Sequence, residues 1–292
     1  MVIASSDRLG SRGPGDRCGR LITLVAAAAL LLTGCTVGEP RPPEHRADGA
    51  PYAVGLVNLW RVTGVAEEEP DTWLRLETSG FQLWRDCGMI NGSWQASDTQ
   101  FVAGTWGSTG SCSQAEMTVP WLESITSYRA DGEGWQLVDA DGGVVAALTI
   151  DGAPAPIADA VESLAEPPPV TARTREVLRL PTELPADLEP ATTEQLLGRW
   201  EPAGYAGALE PFFTFTADHA WTGSDGCNGS NGRWAADDAG LLLPTSGFST
   251  AMGCDYVEVP FFNAGSYLVG LDGEQLVVLD ADATELGRFE RG

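Results

Sequence analysis

No lysine occurs in the 292 residues, so all 17 cationic side chains are arginines, set against 41 acids. A chain this acidic is repelled by phosphate backbones and by anionic headgroups, which argues against nucleic-acid binding. Histidine is nearly absent too, with only His45 and His219. That scarcity leaves few ways to pair a nucleophile with a base, and neither histidine sits near a nucleophile-elbow pattern. No Cys-x-x-Cys occurs, which removes the usual basis for thioredoxin-like exchange. One long apolar run is present, Leu21 to Leu32, and its twelve residues fall short of the roughly 20 that span a bilayer.

What surrounds that run gives it a meaning. Arg8, Arg12, Arg17 and Arg20 precede it as a positive n-region, and Leu32-Thr-Gly-Cys35 follows it. The stretch 1–34 reads as a signal peptide whose end resembles a bacterial lipobox. That resemblance implies that Cys35 is lipidated and becomes the first mature residue. The expected partner is then membrane lipid, and the expected location is the cell membrane, on its extracytoplasmic face. Each buried acyl methylene contributes about 0.8 kcal/mol to such anchoring. Without residues 1–34, 13 arginines face 39 acids, a net charge of −26. Residues 35–51 carry Pro40, Pro42, Pro43 and Pro51 among charges and read as an extended tether, with His45 solvated in it.

The mature chain repeats itself. Trp60 and Trp200, Cys87 and Cys227, Asn91 and Asn231, Trp94 and Trp234, and Pro120 and Pro260 are each 140 positions apart. Equal offsets among such residue types indicate a duplicated domain, over 52–150 and 193–292. Within each copy, short runs rich in β-branched and aromatic residues alternate with turn signals such as Asn91-Gly92, Asp131-Gly132 and Asp141-Gly142. Examples are Val54–Trp60, Thr72–Glu77 and Phe81–Trp84 in the first copy, and Phe212–Thr216, His219–Thr222 and Gln275–Leu279 in the second. The fold class expected is mainly β: two tandem small antiparallel β-barrels or curled sheets, each with room for one short helix. The helical spacing of Val119, Leu122 and Ile125 places that helix between Val119 and Tyr128, with Val259–Ala264 as its counterpart.

Between the copies, residues 151–192 are rich in proline and read as a partly ordered linker. Ile157, Val161 and Leu164 could form two helical turns there, and Arg175–Leu180 a strand.

The second copy resembles the META domain, the HslJ-like family of small bacterial envelope proteins. The resemblance rests on Leu197-Gly-Arg-Trp200, Phe213-Thr-Phe215, Gly226-Cys-Asn228, Gly232-Arg-Trp234, Thr250-Ala-Met-Gly-Cys254 and the last strand Gln275–Leu279. The first copy departs from that pattern, with Cys87-Gly88 for Cys-Asn and no Thr-x-Met before Cys112. The family implies a mostly antiparallel β domain without established catalytic residues, in roles tied to envelope stress and drug tolerance. On this basis the chain is expected to be non-catalytic and to bind or scaffold at the envelope. Its partner would be an envelope protein or glycan, and no cofactor is expected. The alternatives are an envelope hydrolase acting on glycans or peptides, and a barrel-like inhibitor or ligand carrier.

Four cysteines remain after Cys18 and Cys35 are set aside, and an exported setting favours disulfides. Of three possible pairings the repeat selects Cys87–Cys112 and Cys227–Cys254, which close loops of 25 and 27 residues. Too few further Cys or His residues stand near them for a zinc site.

The Gly223–Gly232 loop lacks the Lys of a phosphate-binding P-loop and reads first as a tight turn. As a second reading it is a binding rim, formed by Asp225, Asn228, Asn231 and Arg233. Asp139-Ala-Asp141 and Asp280-Ala-Asp282 open like calcium loops, but Ile150 and Arg291 stand where the bidentate Glu is required, so hairpin turns are expected and no metal.

Overall fold

The computed structural model describes residues 52–155, 162–253, 257, 259–260 and 265–292. The expected signal and tether, with Cys35 and His45, lie outside those residues, as do Cys254 and the stretch 261–264.

After a 3-10 turn over Tyr52–Leu56, the first repeat runs through β1 (Asn58–Thr63), β2 (Trp73–Leu76), β3 (Gly80–Arg85), β4 (Gly88–Ala96) and β5 (Phe101–Gly110). Two short helices follow, α1 (Gln114–Met117) and α2 (Pro120–Glu123), then β6 (Ile125–Asp131), β7 (Gly134–Asp139) and β8 (Val144–Thr149). Strands β1 to β5 and β6 to β8 pair antiparallel in chain order, and β8 returns to β1 through Arg61 and Thr149. A bridge from Gln100 to Ser127 joins the start of β5 to β6. The sheet thus closes into an eight-stranded up-and-down barrel, an arrangement that removes free strand edges.

The segment between the repeats holds a 3-10 turn over Glu162–Ala165, α3 (Ala172–Val177) and β9 (Glu189–Pro190), and α4 (Thr193–Leu196) leads into the second repeat. There β10 (Gly198–Pro202), β11 (Phe212–Phe215), β12 (Ala220–Ser224), β13 (Gly229–Ala236), β14 (Leu241–Pro244), β15 (Tyr267–Asp272), β16 (Gln275–Leu279) and β17 (Glu285–Arg291) follow the order of the first copy. β14 pairs with β15 through Leu241 and Leu268, and β17 returns to β10 through Arg291 and Trp200. The duplication also holds at single hydrogen bonds. Trp60 Nε1 donates to the Leu56 carbonyl at 2.7 Å and Trp200 Nε1 to the Leu196 carbonyl at 2.8 Å.

Alternation of side chains along each strand sends one set inward. Trp60, Phe81, Trp94 and Phe101 fill the first barrel; Trp200, Phe213, Phe215, Trp221, Trp234 and Phe289 fill the second. Outward residues of the first barrel are covered in turn. Leu59, Trp73, Trp84 and Met89 form an outer apolar patch with Leu164 of the linker packed on it. Arg75 donates to the Glu166 carbonyl at 3.0 Å, and Leu178 joins the first core. The later half of the linker belongs to the second barrel, where Leu184 and Leu188 pack near Leu268 and Val277 and β9 pairs with β15.

Several local expectations are corrected. Asn91-Gly92 is not a turn but lies inside β4, at a bulge opposite Trp106 of β5. Glycine is required there because a Cβ on Gly92 would fall 2.2 Å from the Phe81 ring. Arg175–Leu180 is not a strand: α3 occupies Ala172–Val177, opened by a capping box in which Thr171 and Thr174 satisfy each other's backbone N–H groups. His219 lies in the β11–β12 turn with φ of 63°, not in a strand, and Val54–Leu56 belongs to the 3-10 turn ahead of β1. The expected helix does form as α2, but the chain is already extended from Ile125.

The two barrels meet along a seam. Ser93 Oγ on β4 donates to the Ser246 carbonyl at 2.5 Å, and Gln100 Nε2 to the Ala236 carbonyl at 2.8 Å. Val102 packs with Leu241 and Leu243. Gly104 allows this approach, since a Cβ there would lie 2.9 Å from Thr245 Oγ1 and 3.4 Å from Arg233 Cγ.

Candidate functional site

The Gly223–Gly232 stretch is the β12–β13 hairpin. Its turn is held by Asp225, whose Oδ1 accepts from the N–H groups of Cys227 at 2.8 Å and of Asn228. Asn228 is buried and works like a backbone amide, accepting from Met252 N at 2.6 Å and donating to the Met252 carbonyl at 3.3 Å. Both side chains are thus engaged with the turn and the irregular segment 246–252 beside it, as the turn reading expects. Asn231 is exposed on β13, with its backbone carbonyl accepting from Gly247 N at 2.6 Å. Arg233 sits further along β13, at the seam. The four proposed rim residues are therefore spread along the hairpin, with Asp225 and Asn228 at its turn and Arg233 towards its far end.

Arg233 opens onto a cleft of about 420 Å³ where the two barrels adjoin. Gln100, Glu123, Ser124 and Thr126 line it from the first barrel, and His219, Arg233 and Trp234 from the second. The Arg233 stem rests near Gly104, and its guanidinium donates to the backbone carbonyl of Asp218 at 2.9 Å. The carboxylate of Asp218 is held by its own turn, accepting from Thr216 Oγ1 at 2.5 Å and Ala220 N at 3.3 Å. Those bonds, the Thr216 hydroxyl first, hold its pKa below the usual carboxylate range, with the Arg233 charge a smaller contributor. The His219 ring lies 5.3 Å from Trp234, placed there by the left-handed turn that His219 occupies.

Glu123 was not among the residues singled out from the sequence. It ends α2 and lines the same cleft as Arg233. Among the described residues neither Glu123 nor Arg233 forms an ion pair, with each other or with a third group. The signal for Glu123 is not local, because Arg233, which lines the same cleft, is 110 positions away.

A second polar pocket, of about 350 Å³, lies at the first barrel beside Cys87 and is rimmed by Glu67, Glu69, Asp71, Asp86 and Glu116. Its central carboxylate is already partnered. Glu68 pairs with Arg85 and accepts from Trp121 Nε1 at 2.6 Å and Thr72 Oγ1 at 3.2 Å. The calcium-like stretches are hairpin turns, as expected. Asp139 Oδ1 accepts from Asp141 N at 3.0 Å and Gly143 N at 2.8 Å, and Asp280 Oδ1 accepts from Asp282 N and Thr284 N at 2.9 Å each. Among the described residues no group of three or more His, Cys, Asp or Glu is placed to hold a metal ion.

Cys87 and Cys112 form a disulfide. Cys227 is also disulfide-bonded, and Cys254, its expected partner, lies outside the described residues.

No protein-family model, curated protein or solved structure matches the chain. Fold and site together define a β protein of two closed barrels with a charged cleft where the repeats join.

Proposed function

We propose that the chain is a lipid-anchored, extracytoplasmic protein of two META-like barrels that binds a partner or ligand at the cell envelope without catalysing a reaction. Its binding surface is the cleft between the barrels. The observation that carries this reading is a single cleft lined by polar and charged residues of both barrels, Glu123 among those of the first and Arg233 among those of the second, where the barrels pack on each other. Sites between domains are the usual place for ligands, because two rigid bodies fix the groups on both sides.

The barrel interiors support binding outside rather than inside. They are packed with indole and phenyl rings, which disfavours the ligand-carrier alternative. The Cys87–Cys112 disulfide suits an oxidising compartment, in keeping with export. The lipobox-like ending at Cys35 supports anchoring, and the META resemblance supports a part in envelope stress or drug tolerance.

Two linked measurements test the reading. The wild-type chain should stay with membranes through a high-salt wash while Cys35→Ser is released; release of the wild type by salt alone would overturn the anchoring. The full chain in detergent should retain an envelope molecule that Arg233→Gln loses. Equal retention by that variant would remove the cleft from the account.

A further inference from the structure

We propose that the anchored chain lies on the lipid bilayer with one particular face, an uncharged patch at one end of the seam that presents Trp106, Phe248 and Met252. The occupant of the patch is the membrane interface. This rests on the reading of Cys35 as the lipid anchor and adds which surface turns towards the membrane.

The first observation is exposure. Nine of the ten tryptophans are 7% exposed or less, whereas Trp106, the extra residue at the β5 bulge, stands at 43%. Phe248 and Met252 are 62% and 60% exposed, and the backbone that carries them is fixed. Gly247 N donates to the Asn231 carbonyl at 2.6 Å and Thr250 N to the Gly229 carbonyl at 3.0 Å, while Asn228 bonds both backbone groups of Met252. Little backbone order remains to be lost when these side chains are covered.

The second is register across the seam. Gln100 of β5 bonds the Ala236 carbonyl, and Gly104 lies against Arg233 and Thr245, so β5 ascends as β13 descends. Residues 245–250 follow β13 in that same direction, because Thr245 N, Gly247 N and Thr250 N donate to the carbonyls of Arg233, Asn231 and Gly229. Trp106, two residues past Gly104, and Phe248, three past Thr245, therefore leave the seam at the same end. Met252 follows at the β12–β13 turn.

The third is charge. Stretches 87–97, 99–115, 226–232 and 239–253 hold no charged residue, in a chain where 20% of residues are charged. They supply β4, β5, the start of β13 and the segment beside it. Arg233 borders the patch at Gly104, Asp86 and Glu116 lie past the Gly88–Gly110 pair, and Asp225 is buried in its turn. With a net charge of −26 after residue 34, the charged faces are repelled by anionic headgroups, and this face is not. Its apolar side chains stand among exposed Thr109, Asn231 and Ser249, the mixture that suits a membrane interface, where an indole ring is buried and its N–H stays wet. The tether leaves the choice of face to the surface. Cys35 and Tyr52 are 17 positions apart, so the intervening chain spans up to about 60 Å when extended. Anchoring also keeps the bilayer at high local concentration, so a small patch suffices to set the orientation.

The test is tryptophan fluorescence of the lipidated full chain in phosphatidylcholine vesicles, with and without bromine on the acyl chains, after flotation has shown attachment. Brominated vesicles should quench part of the emission, and Trp106→Phe should abolish that quenching without changing flotation. The double change Phe248→Ser and Met252→Ser keeps the reporter and should reduce the quenching about twofold or more, since it removes apolar area from the contact. Flotation without quenching, or quenching that survives Trp106→Phe or is unchanged by the double variant, overturns this face while the anchoring stands. Failure to float overturns the anchoring reading, and this proposal with it. Absence of quenching with an emission shift that needs only higher protein concentration in detergent assigns the patch to a second copy. The same shift on adding maltohexaose assigns it to a neutral glycan, and either result overturns the bilayer.

Discussion

Ser93 of the first barrel donates its hydroxyl to the backbone carbonyl of Ser246 in the second, at 2.5 Å, although 153 positions separate them. Gln95 stands two residues further along β4 on the same outward face, opposite Val102 of the seam cluster. Its side chain is fully buried, and neither its Nε2 nor its Oε1 has a hydrogen-bond partner. A buried amide left unpaired costs about 1–3 kcal/mol. Gln95→Met keeps the length and removes both polar atoms, so it should stabilise the protein by about 1–2 kcal/mol in urea denaturation. Destabilisation instead would mean that the amide is satisfied in solution.

Gly92 sits where β4 crosses close to Phe81 and β5. A Cβ there would lie 2.2 Å from the Phe81 ring and 2.4 Å from the Gly104 carbonyl, and the carbonyl cannot move away without shifting a strand. Gly92→Ala should cost about 3 kcal/mol or more, towards the upper end for overpacked cores. A thermal midpoint equal to that of the wild type would contradict this placement.

The Cys87–Cys112 disulfide closes 25 residues, from the β3–β4 turn to the stretch between β5 and α1. In the chain-entropy account that closure contributes about 3–4 kcal/mol. The double change Cys87→Ser and Cys112→Ser should lower the unfolding midpoint of the first barrel in calorimetry and leave the second barrel's local stability nearer its own value. An unchanged midpoint would show that the unfolded chain gains little from losing the crosslink.

Tyr128 lies inside the first barrel and donates its hydroxyl to the Ser97 carbonyl at 2.5 Å. Burial raises its pKa well above the ordinary tyrosine value, with the Asp98 charge and Tyr52 adding to the effect. The folded state therefore holds the proton more tightly than the unfolded state. Its contribution is fully present below the unfolded value of about 10 and is lost as pH rises from there towards the folded value. Stability should fall as pH climbs past about 10, and Tyr128→Phe should flatten that fall while costing about 1 kcal/mol at neutral pH. Denaturation curves at pH 8 to 11 read both effects, and an unchanged alkaline slope in the variant would contradict the account.

The barrels were legible in the sequence because their signals are local and repeated. Trp60 and Trp200, or Asp131-Gly132 between β6 and β7, mark positions whose neighbours in the chain are also neighbours in space. What was missed depends on distant residues. Asn91-Gly92 has the composition of a turn, but Phe81 across the strand pair needs that glycine in the middle of β4. Arg175–Leu180 has strand-like spacing, yet the Thr171–Thr174 capping box and burial of Leu178 in the first core favour a helix. The site divided the same way. Arg233 could be picked out on its hairpin, whereas Glu123 acquires meaning only when the seam brings it to the same cleft.

Everything proposed for the cleft depends on the two barrels being one body, and a spin-label distance measurement tests that most directly. Labels would go on Glu133→Cys in the β6–β7 turn and Glu210→Cys ahead of β11, both exposed and one on each barrel. In the full chain the Ser93–Ser246 seam predicts one narrow distance distribution between them. A broad distribution, as from two barrels swinging on a flexible linker, would contradict the account, since Glu123 and Arg233 would then have no fixed cleft to share.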